Sequence, residues 1–309
     1  MCIRDSINNN LTITIKYTNK DGKGSFQNDS SLPAQIEKKE LNLQAIASEM
    51  KLVQDHCRGI APFTSLKKEF GIAEAYAVAS MINKMRVNEG SVPVGRKIGF
   101  TNPKMWSAYK VYEPIWAYVY DKSVVHLSSQ NSNCYIGNFS EPKIEPEMVL
   151  HFCSNPPTDA GPEEILSCID WIAHGIEIVQ CHFPDWKFKT ADTIADSGLH
   201  AKLYVGEPQK LKNPGQDLIS KLESFSISLS CDGIFQEQGT GSNVLGSPLK
   251  AVSHLIKVIA NYPGTQHLQA GELVTTGTLT TAFTIKAGQK WNTNLSGINI
   301  PGISIQFDI

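Results

Sequence analysis

The stretch KIEPEMVLHF, residues 143–152, places two glutamates inside an otherwise apolar segment. Its alternation predicts a β-strand, and in a strand residues i and i+2 project from the same face. Glu145 and Glu147 would then lie side by side, where two carboxylates repel each other and are costly to bury. A cation between them, or a proton retained on one, would relieve the repulsion. Taken alone, the alternation favours the commoner interpretation, the solvent-facing side of a half-buried strand.

A third glutamate occupies a similar position further along the chain. Glu177 is flanked by Ile176 and Ile178, and a helix-like segment separates it from Glu147, which leaves enough chain to bring two strands together. Three carboxylates without Cys or His at ligand spacing suit a hard divalent cation, Mg²⁺ or Mn²⁺, rather than zinc. Such a site keeps positions open for a chelating substrate. The nearby histidines 151, 174 and 182 are interpreted as hydrogen-bonded core residues.

The overall composition excludes some classes of protein. The chain has 309 residues, of which 41% are hydrophobic and 19% charged, with a net charge of -2. This balance gives no electrostatic basis for binding nucleic acid or an acidic membrane surface. No apolar segment approaches the roughly 20 residues that span a bilayer, and the N-terminus lacks the apolar core of a signal peptide. Seven cysteines without a C-x-x-C pair favour a cytoplasmic protein with reduced thiols.

The chain divides into two predicted parts. Residues 1–38 are rich in Asn, Ser, Lys and Gly, which predicts a poorly ordered N-terminal extension, although LTITIKYT (11–18) alternates like a strand. Residues 39–309 form the predicted catalytic domain. Helical periodicity begins at Leu43 and again at Ile72, and it returns in 163–168 and 249–261.

The last third of the chain has the pattern of strands. FSISLSC (225–231) alternates and meets Asp232-Gly233, a strong hairpin signal, and three further strand-like segments follow. Helices first and many strands later favour an α+β fold with a β-rich core over a doubly wound sheet.

Blocks distributed along residues 40–309 carry a resemblance to a known family. They are GRKIGFTNPKMW (95–106), EPEMVL (145–150), GIEIVQ (175–180), ADTIAD (191–196), GTGSNVLGSPL (239–249) and GELVTTGTLT (271–280). Together, and in this order, they resemble the 2-keto-4-pentenoate hydratase / 4-oxalocrotonate decarboxylase branch of the fumarylacetoacetate hydrolase superfamily. The resemblance implies a mixed β-sheet roll like the C-terminal domain of fumarylacetoacetase, with a helical N-terminal section. It also implies a homo-oligomer that acts on a small 2-oxo acid.

Three metal ligands and a catalytic lysine follow from the resemblance. It assigns the metal to Glu145, Glu147 and Glu177, so that a cation would neutralise the paired glutamates. Lys97 matches the family's active-site lysine, where its charge would stabilise an enolate or the substrate carboxylate. Without the neighbouring blocks, Lys97 would be interpreted as an exposed basic residue.

The resemblance also assigns residues that bind the substrate. Thr276, Gly277 and Thr278 match a loop whose hydroxyls and backbone amides meet the substrate carboxylate, and glycine permits close backbone approach there. A threonine-rich strand end with a glycine turn is the alternative. Asp192 matches an acidic position close to the metal, or it is a turn residue.

Two positions depart from the family pattern. Hydratases of this family carry an acidic residue in the region where this chain has Ile115 and Trp116, and an aliphatic side chain cannot transfer a proton. The segment after ADTIAD also differs and contains Ser197 and His200. We therefore consider two possibilities: Ile115 and Trp116 form an apolar wall of the substrate pocket, or Ser197 or His200 replaces the missing acid.

The expected function is a metal-dependent hydratase of a short 2-hydroxydienoic or 2-oxoenoic acid, as in aromatic catabolism. The alternatives are a decarboxylase of a 2-oxo diacid such as 4-oxalocrotonate, or a C–C hydrolase of acylpyruvates. A protein that binds a metal and a 2-oxo acid without turnover is the non-enzymatic alternative.

Overall fold

The computed structural model describes residues 41–103, 106–109, 111–128, 131–212, 215–262 and 265–309. The predicted extension 1–38, including the strand predicted at 11–18, lies outside these residues. The helices of the described part are α1 (Leu43–Asp55), α2 (Phe63–Leu66), α3 (Ile72–Asn88), α4 (Trp106–Tyr109), α5 (Pro162–Ser167), α6 (Thr190–Ala195), α7 (Gln216–Ser224) and α8 (Pro248–Ala260).

Four of these helices, α1, α3, α5 and α8, lie where the sequence periodicity predicts them. The Asn42 side chain accepts a hydrogen bond from the Ala45 amide and so caps α1. The apolar stripe of α1 is buried at Ile46, Ala47, Met50 and Val53. In the described residues, none of the helices combines the length and the apolar character that crossing a membrane requires.

Two sheets follow the N-terminal helices. Their strands are β1 (Pro93–Gly99), β2 (Ile115–Tyr120), β3 (Val124–His126), β4 (Asn131–Tyr135), β5 (Lys143–Phe152), β6 (Ile169–Val179), β7 (His200–Val205), β8 (Gln209–Lys210), β9 (Ser226–Cys231), β10 (Ile234–Thr240), β11 (Leu273–Thr275), β12 (Phe283–Thr284), β13 (Lys290–Ser296) and β14 (Ser304–Asp308). The larger sheet has the order β2-β1-β11-β5-β6-β7-β3, with β12 paired to β5 and β8 paired to β6. The second sheet has the order β10-β9-β13-β14-β4.

Both sheets mix parallel and antiparallel pairs. Strand β1 pairs in parallel with β11, and β11 pairs antiparallel with β5. The predicted hairpin joins β9 and β10 through Asp232 and Gly233, whose φ angles of 51° and 80° suit a tight hairpin turn. The predicted α+β fold is therefore confirmed.

Strand β5 is buried on both faces, which explains its nearly continuous apolar sequence. Ile144 on one face packs against the second sheet in a core that includes Trp291 and Phe307. Val149 on the other face packs in a separate apolar cluster with residues of β2, β6, β7 and β11. Because side chains alternate along a strand, Glu145 and Glu147 lie on the same face as Val149.

Candidate metal centre

The pairing of β5 with β6 brings three glutamates together. Glu145 lies directly opposite Glu177, and Glu147 lies opposite Gly175 on the same face. One carboxylate oxygen from each glutamate lies within 4.8 Å of the others. Glu147 and Glu177 are completely buried, whereas Glu145 is partly exposed and lines a cavity.

Some of these buried oxygens have no hydrogen-bond partner. Oε2 of Glu147 accepts a hydrogen bond of 2.8 Å from the amide of Gly277, but Oε1 of Glu147 accepts none, and Oε2 of Glu177 has only an ion pair with Lys97. A buried polar atom without a partner, such as Oε1 of Glu147, is costly and calls for an explanation. Divalent cations bind oxygens at roughly 2.0–2.6 Å, so one ion reaches three oxygens separated by less than about 5 Å. The residues present therefore fit a hard divalent cation.

Lys97, which lies on β1, places a positive charge beside the three carboxylates. Its side chain is buried, and Nζ lies 3.3 Å from Oε2 of Glu177. Burial works to lower the pKa of Lys97, but the nearby glutamates, Glu177 above all, outweigh burial and raise the pKa. Nζ also donates a hydrogen bond of 2.9 Å to the carbonyl of Gly198. The lysine is therefore charged and held in place.

The turn that carries Gly198 has an unusual backbone. Ser197, Gly198 and Leu199 all have positive φ angles, of 51°, 63° and 64°, a region that only glycine adopts without strain. A Cβ on Gly198 would lie 2.9 Å from Cδ of Lys97. Glycine at this position therefore lets the turn pack against the lysine side chain.

His200 fixes Glu177 from the side opposite to Lys97. One ring nitrogen of His200 lies 2.7 Å from Oε1 of Glu177, and the other lies 2.8 Å from Oγ of Ser123. Burial works to raise the pKa of Glu177, but Lys97 and His200 outweigh burial and lower it to about 2. Glu177 is therefore ionised at neutral pH.

The pKa values of the other two carboxyl groups are raised, in contrast to that of Glu177. Burial raises the pKa of Glu145 to about 7, and the negative charge of Glu177 adds to the effect. Burial and Glu177 raise the pKa of Glu147 well above its ordinary value. These shifts are the electrostatic consequence of carboxylates that face one another.

A cavity of about 250 Å³ opens over these residues. Five of the residues predicted for the site line this cavity: Lys97, Ile115, Glu145, Gly277 and Thr278. The backbone of Gly277 has a φ of 92°, and a Cβ there would overlap the side chain of Thr101. The glycine is therefore required both by its own conformation and by its neighbour.

Of the two residues considered for an apolar wall, Ile115 lines this cavity and Trp116 does not. Trp116 follows Ile115 in β2 and projects from the opposite face, where its ring stacks on Tyr76 at 5.6 Å. It lines a smaller, separate pocket together with Ser197.

Neither residue considered as a replacement acid lines the substrate cavity. Both ring nitrogens of His200 are engaged, with Glu177 and Ser123. The Ser197 hydroxyl accepts a hydrogen bond of 3.1 Å from Gln54 and faces the separate pocket. In this structure His200 holds Glu177 in position.

Two further residues predicted to bind the substrate, Asp192 and Thr276, do not line the cavity and make hydrogen bonds within the fold. Asp192 accepts hydrogen bonds from the backbone and hydroxyl of Thr64 and from the amide of Lys189. It therefore ties the start of α6 to α2. The Thr276 hydroxyl donates to the carbonyl of Met148 and does not line the cavity.

The sequence reasoning missed Gly198 and Ser123. Gly198 stands in the segment that departs from the family pattern, so no family position identified it. Ser123 lies in a short turn after β2, and it reaches His200 only through the pairing of β3 with β7. No local sequence signal marks either role.

The fold is similar to that of proteins with solved structures. It resembles 4-oxalocrotonate decarboxylase from Pseudomonas putida G7, solved with magnesium and adipate, with a TM-score of 0.77 and 22% identity over 86% of this chain and 97% of that chain. It also resembles fumarylpyruvate hydrolase from Pseudomonas aeruginosa, solved with Mn²⁺ and pyruvate, with a TM-score of 0.52 and 14% identity over 69% of this chain and 88% of that chain. These similarities show the fold.

The sequence is also similar to those of curated enzymes. The chain is 27% identical over 241 residues to 2-keto-4-pentenoate hydratase from Paraburkholderia xenovorans (strain LB400), covering 77% of this chain and 86% of the relative. It is 26% identical over 217 residues to 4-oxalocrotonate decarboxylase from Pseudomonas sp, covering 70% of this chain and 80% of the relative. No family model matches the chain. The predicted resemblance to 2-keto-4-pentenoate hydratases and 4-oxalocrotonate decarboxylase is confirmed, because curated relatives carry both names.

Proposed function

We propose that this chain is a divalent-metal-dependent hydratase of a short 2-hydroxydienoic or 2-oxoenoic acid. The observation that carries the proposal is the convergence of Glu145, Glu147 and Glu177 beside a charged Lys97 in a cavity. Relatives named 2-keto-4-pentenoate hydratase support hydration as the reaction.

The three glutamates are the proposed metal ligands, and Mg²⁺ or Mn²⁺ is the proposed ion. Structural neighbours solved with magnesium and with Mn²⁺ support a divalent metal. When bound, the ion would supply Lewis-acid polarisation of the oxygens of a chelating 2-oxo acid. His200 and the amide of Gly277 orient Glu177 and Glu147 for this role, as outer hydrogen bonds do for metal ligands in general.

Lys97 is the proposed catalytic residue. Its buried ammonium lies at the cavity wall, where a charge that develops on the substrate's enolate oxygen would be stabilised in a site of low dielectric. The hydrogen bond to the Gly198 carbonyl keeps the ammonium from moving with each turnover. Gly277 and Thr278 are proposed to border the substrate carboxylate, since both line the cavity beside the glutamates; the amide of Gly277 itself donates to Glu147, so its role is to let the substrate approach the backbone closely.

A second candidate reaction is decarboxylation of a 2-oxo diacid. Ile115 lines the cavity where hydratases of this family carry an acid, and neither Ser197 nor His200 lines it. Decarboxylation needs the same stabilised enolate but no base that activates water, so Ile115 impairs it less. The similarity to 4-oxalocrotonate decarboxylase supports this candidate.

Product analysis separates the two reactions. The protein, loaded with Mg²⁺ or Mn²⁺, is incubated with a panel of 2-hydroxydienoates, 2-oxo diacids and acylpyruvates, and the products are identified by NMR and by CO₂ release. Hydration predicts a 4-hydroxy-2-oxo acid without CO₂. Cleavage of acylpyruvates would identify a C–C hydrolase, and metal-dependent binding without any product would identify the non-enzymatic alternative. A Lys97→Met control distinguishes catalysis from spontaneous decay of the substrates.

We further propose that the protein is a cytoplasmic homo-oligomer. The six cysteines of the described residues form no disulfide, in agreement with a reducing compartment. Light scattering coupled to gel filtration would give the number of subunits, and a monomer would contradict the proposal.

A further inference from the structure

The side chains around the cavity change character with distance from the three glutamates. On the shared face of β5 and β6, successive rows are Glu147 with Gly175, Glu145 with Glu177, and Lys143 with Val179. Each row lies about 7 Å beyond the previous one, because same-face residues are two positions apart in a strand. The row beyond the carboxylates therefore contains an aliphatic side chain and a lysine.

A second aliphatic side chain occupies the outer part of the cavity on β2. Ile115 lies opposite Gly99, one row beyond the pair of Lys97 and Ala117. A Cβ on Gly99 would lie 3.0 Å from Ile115, so the isoleucine packs across the glycine. Strand β1 is parallel to β11, and β11 is antiparallel to β5. Ile115 and Val179 are therefore displaced towards the same end of the sheet.

Aromatic residues continue the apolar surface. Trp186 and Phe188 line the cavity, and their rings lie 6.3 Å apart. The indole N–H of Trp186 donates to the carbonyl of Glu141, which precedes β5. The ammonium of Lys143 lies 3.8 Å from the centre of the Trp186 ring. This cation–π contact occupies the one lysine of the outer row and holds the indole in place.

The cavity covers both the row of carboxylates and the row beyond it. Its volume is about 250 Å³, which at roughly 30 Å³ each corresponds to about eight waters. A substrate without an apolar group at its far end would leave water against the apolar side chains of the outer row, an unfavourable arrangement.

We propose that the substrate carries an apolar tail, alkyl or aryl, at the end remote from its 2-oxo acid group, and that Ile115, Val179, Trp186 and Phe188 bind this tail. The inference rests on the proposed function, because it assumes that the 2-oxo acid group binds at the three glutamates. It adds the chemical class of the distal substituent and makes Ile115 a residue that determines specificity.

The test is a series of 2-hydroxydienoates that differ only in the remote substituent: hydrogen, methyl, propyl, phenyl or carboxylate. Since burial of a methylene contributes about a fourfold change in binding, we expect kcat/KM to rise about three- to fourfold per carbon from hydrogen to propyl. The carboxylate should be the poorest substrate, because Ile115, Val179 and the two aromatic rings offer it no hydrogen bond and the Lys143 ammonium already contacts the Trp186 ring.

Two variants connect the preference to the cavity wall. Val179→Thr keeps the shape of the side chain and adds a hydroxyl, so the ratio of kcat/KM for the propyl and unsubstituted substrates should fall about tenfold, and Ile115→Ala should lower it similarly. A folding defect would reduce both values equally and leave this ratio unchanged. Val92→Thr, at a position that is 55% exposed just before β1, is the matched control and should leave the ratio at the wild-type value.

A preference for the unsubstituted acid would overturn the proposal. So would a preference for the carboxylate substrate that Lys143→Met abolishes, since Lys143 would then bind a second carboxylate. If no member of the series is turned over with either metal, the proposed function itself fails, and this outcome differs from a reversed preference.

Discussion

Replacing Glu147 by glutamine should make the metal-free protein more stable and the metal-loaded protein less stable. Glu147 is completely buried within 4.8 Å of two other carboxylates. At that separation a pair of charges repels by about 3.5 kcal/mol at an effective dielectric constant of about 20. Glutamine has the same shape and keeps an oxygen for the amide of Gly277, while its NH₂ can donate to Oε2 of Glu177.

Protonation limits the size of the effect. Burial and Glu177 raise the pKa of Glu147 from 4.5, so the folded chain retains a proton that the unfolded chain releases above pH 4.5. Holding this proton costs about 1.4 kcal/mol for each pH unit between 4.5 and the raised pKa. Glutamine avoids the cost, so we expect the variant to have the higher Tm; each 1 kcal/mol gained raises Tm by about 2–4 °C for a domain of this size.

The assay is thermal unfolding with excess chelator and with saturating Mn²⁺. Because the folded-state pKa is raised, the stability from this carboxyl is present below pH 4.5 and is lost as the pH rises, so the advantage of the variant should grow from pH 5 to pH 7. Mn²⁺ at about 100 times its Kd should stabilise the wild type by about 2.7 kcal/mol and the variant hardly at all. A variant that is less stable than the wild type in chelator would refute the reasoning.

Three further substitutions test other parts of the site. Lys97→Met should fold when loaded with metal but lower kcat at least about hundredfold, and unchanged turnover would remove the lysine from the mechanism. Gly277→Ala should weaken Mn²⁺ binding in a titration, because the Cβ of the alanine overlaps a neighbouring side chain. The control is Gly288→Ala, which is also at positive φ but in open space. It should cost only roughly 1–2 kcal/mol of stability and leave Mn²⁺ affinity intact. His200→Ala removes the hydrogen bond that orients Glu177, so Mn²⁺ affinity should fall about 10- to 100-fold; an unaltered Kd would contradict a positioning role.

The sequence predicted those features of the fold that depend on local periodicity. The stripe of α1, the hairpin at Asp232-Gly233 and the shared face of Glu145 and Glu147 all follow from side-chain spacing. Glu177 lies beside the other two glutamates only in one pairing register of β5 and β6. The sequence suggested that these strands pair but did not determine the register. That pairing depends on packing against the second sheet.

Several predicted site residues lie away from the cavity, for identifiable reasons. Trp116 was placed beside Ile115, but strand neighbours face opposite sides, and of the two Ile115 lines the cavity. Asp192 satisfies backbone amides at the start of a helix, a common role of aspartate that a motif match does not distinguish from substrate binding. The positions of Ser197 and His200 depend on a turn with three positive φ angles, which no sequence pattern there predicts.

The central claim is that Glu145, Glu147 and Glu177 hold one divalent cation in the cavity beside Lys97. A crystal soaked in Mn²⁺ and measured at the manganese absorption edge would test it most directly through the anomalous difference map. The account predicts a single strong peak at roughly 2.0–2.6 Å from one oxygen of each glutamate. The absence of a peak there at saturating Mn²⁺, or a peak bound by other side chains, would contradict it.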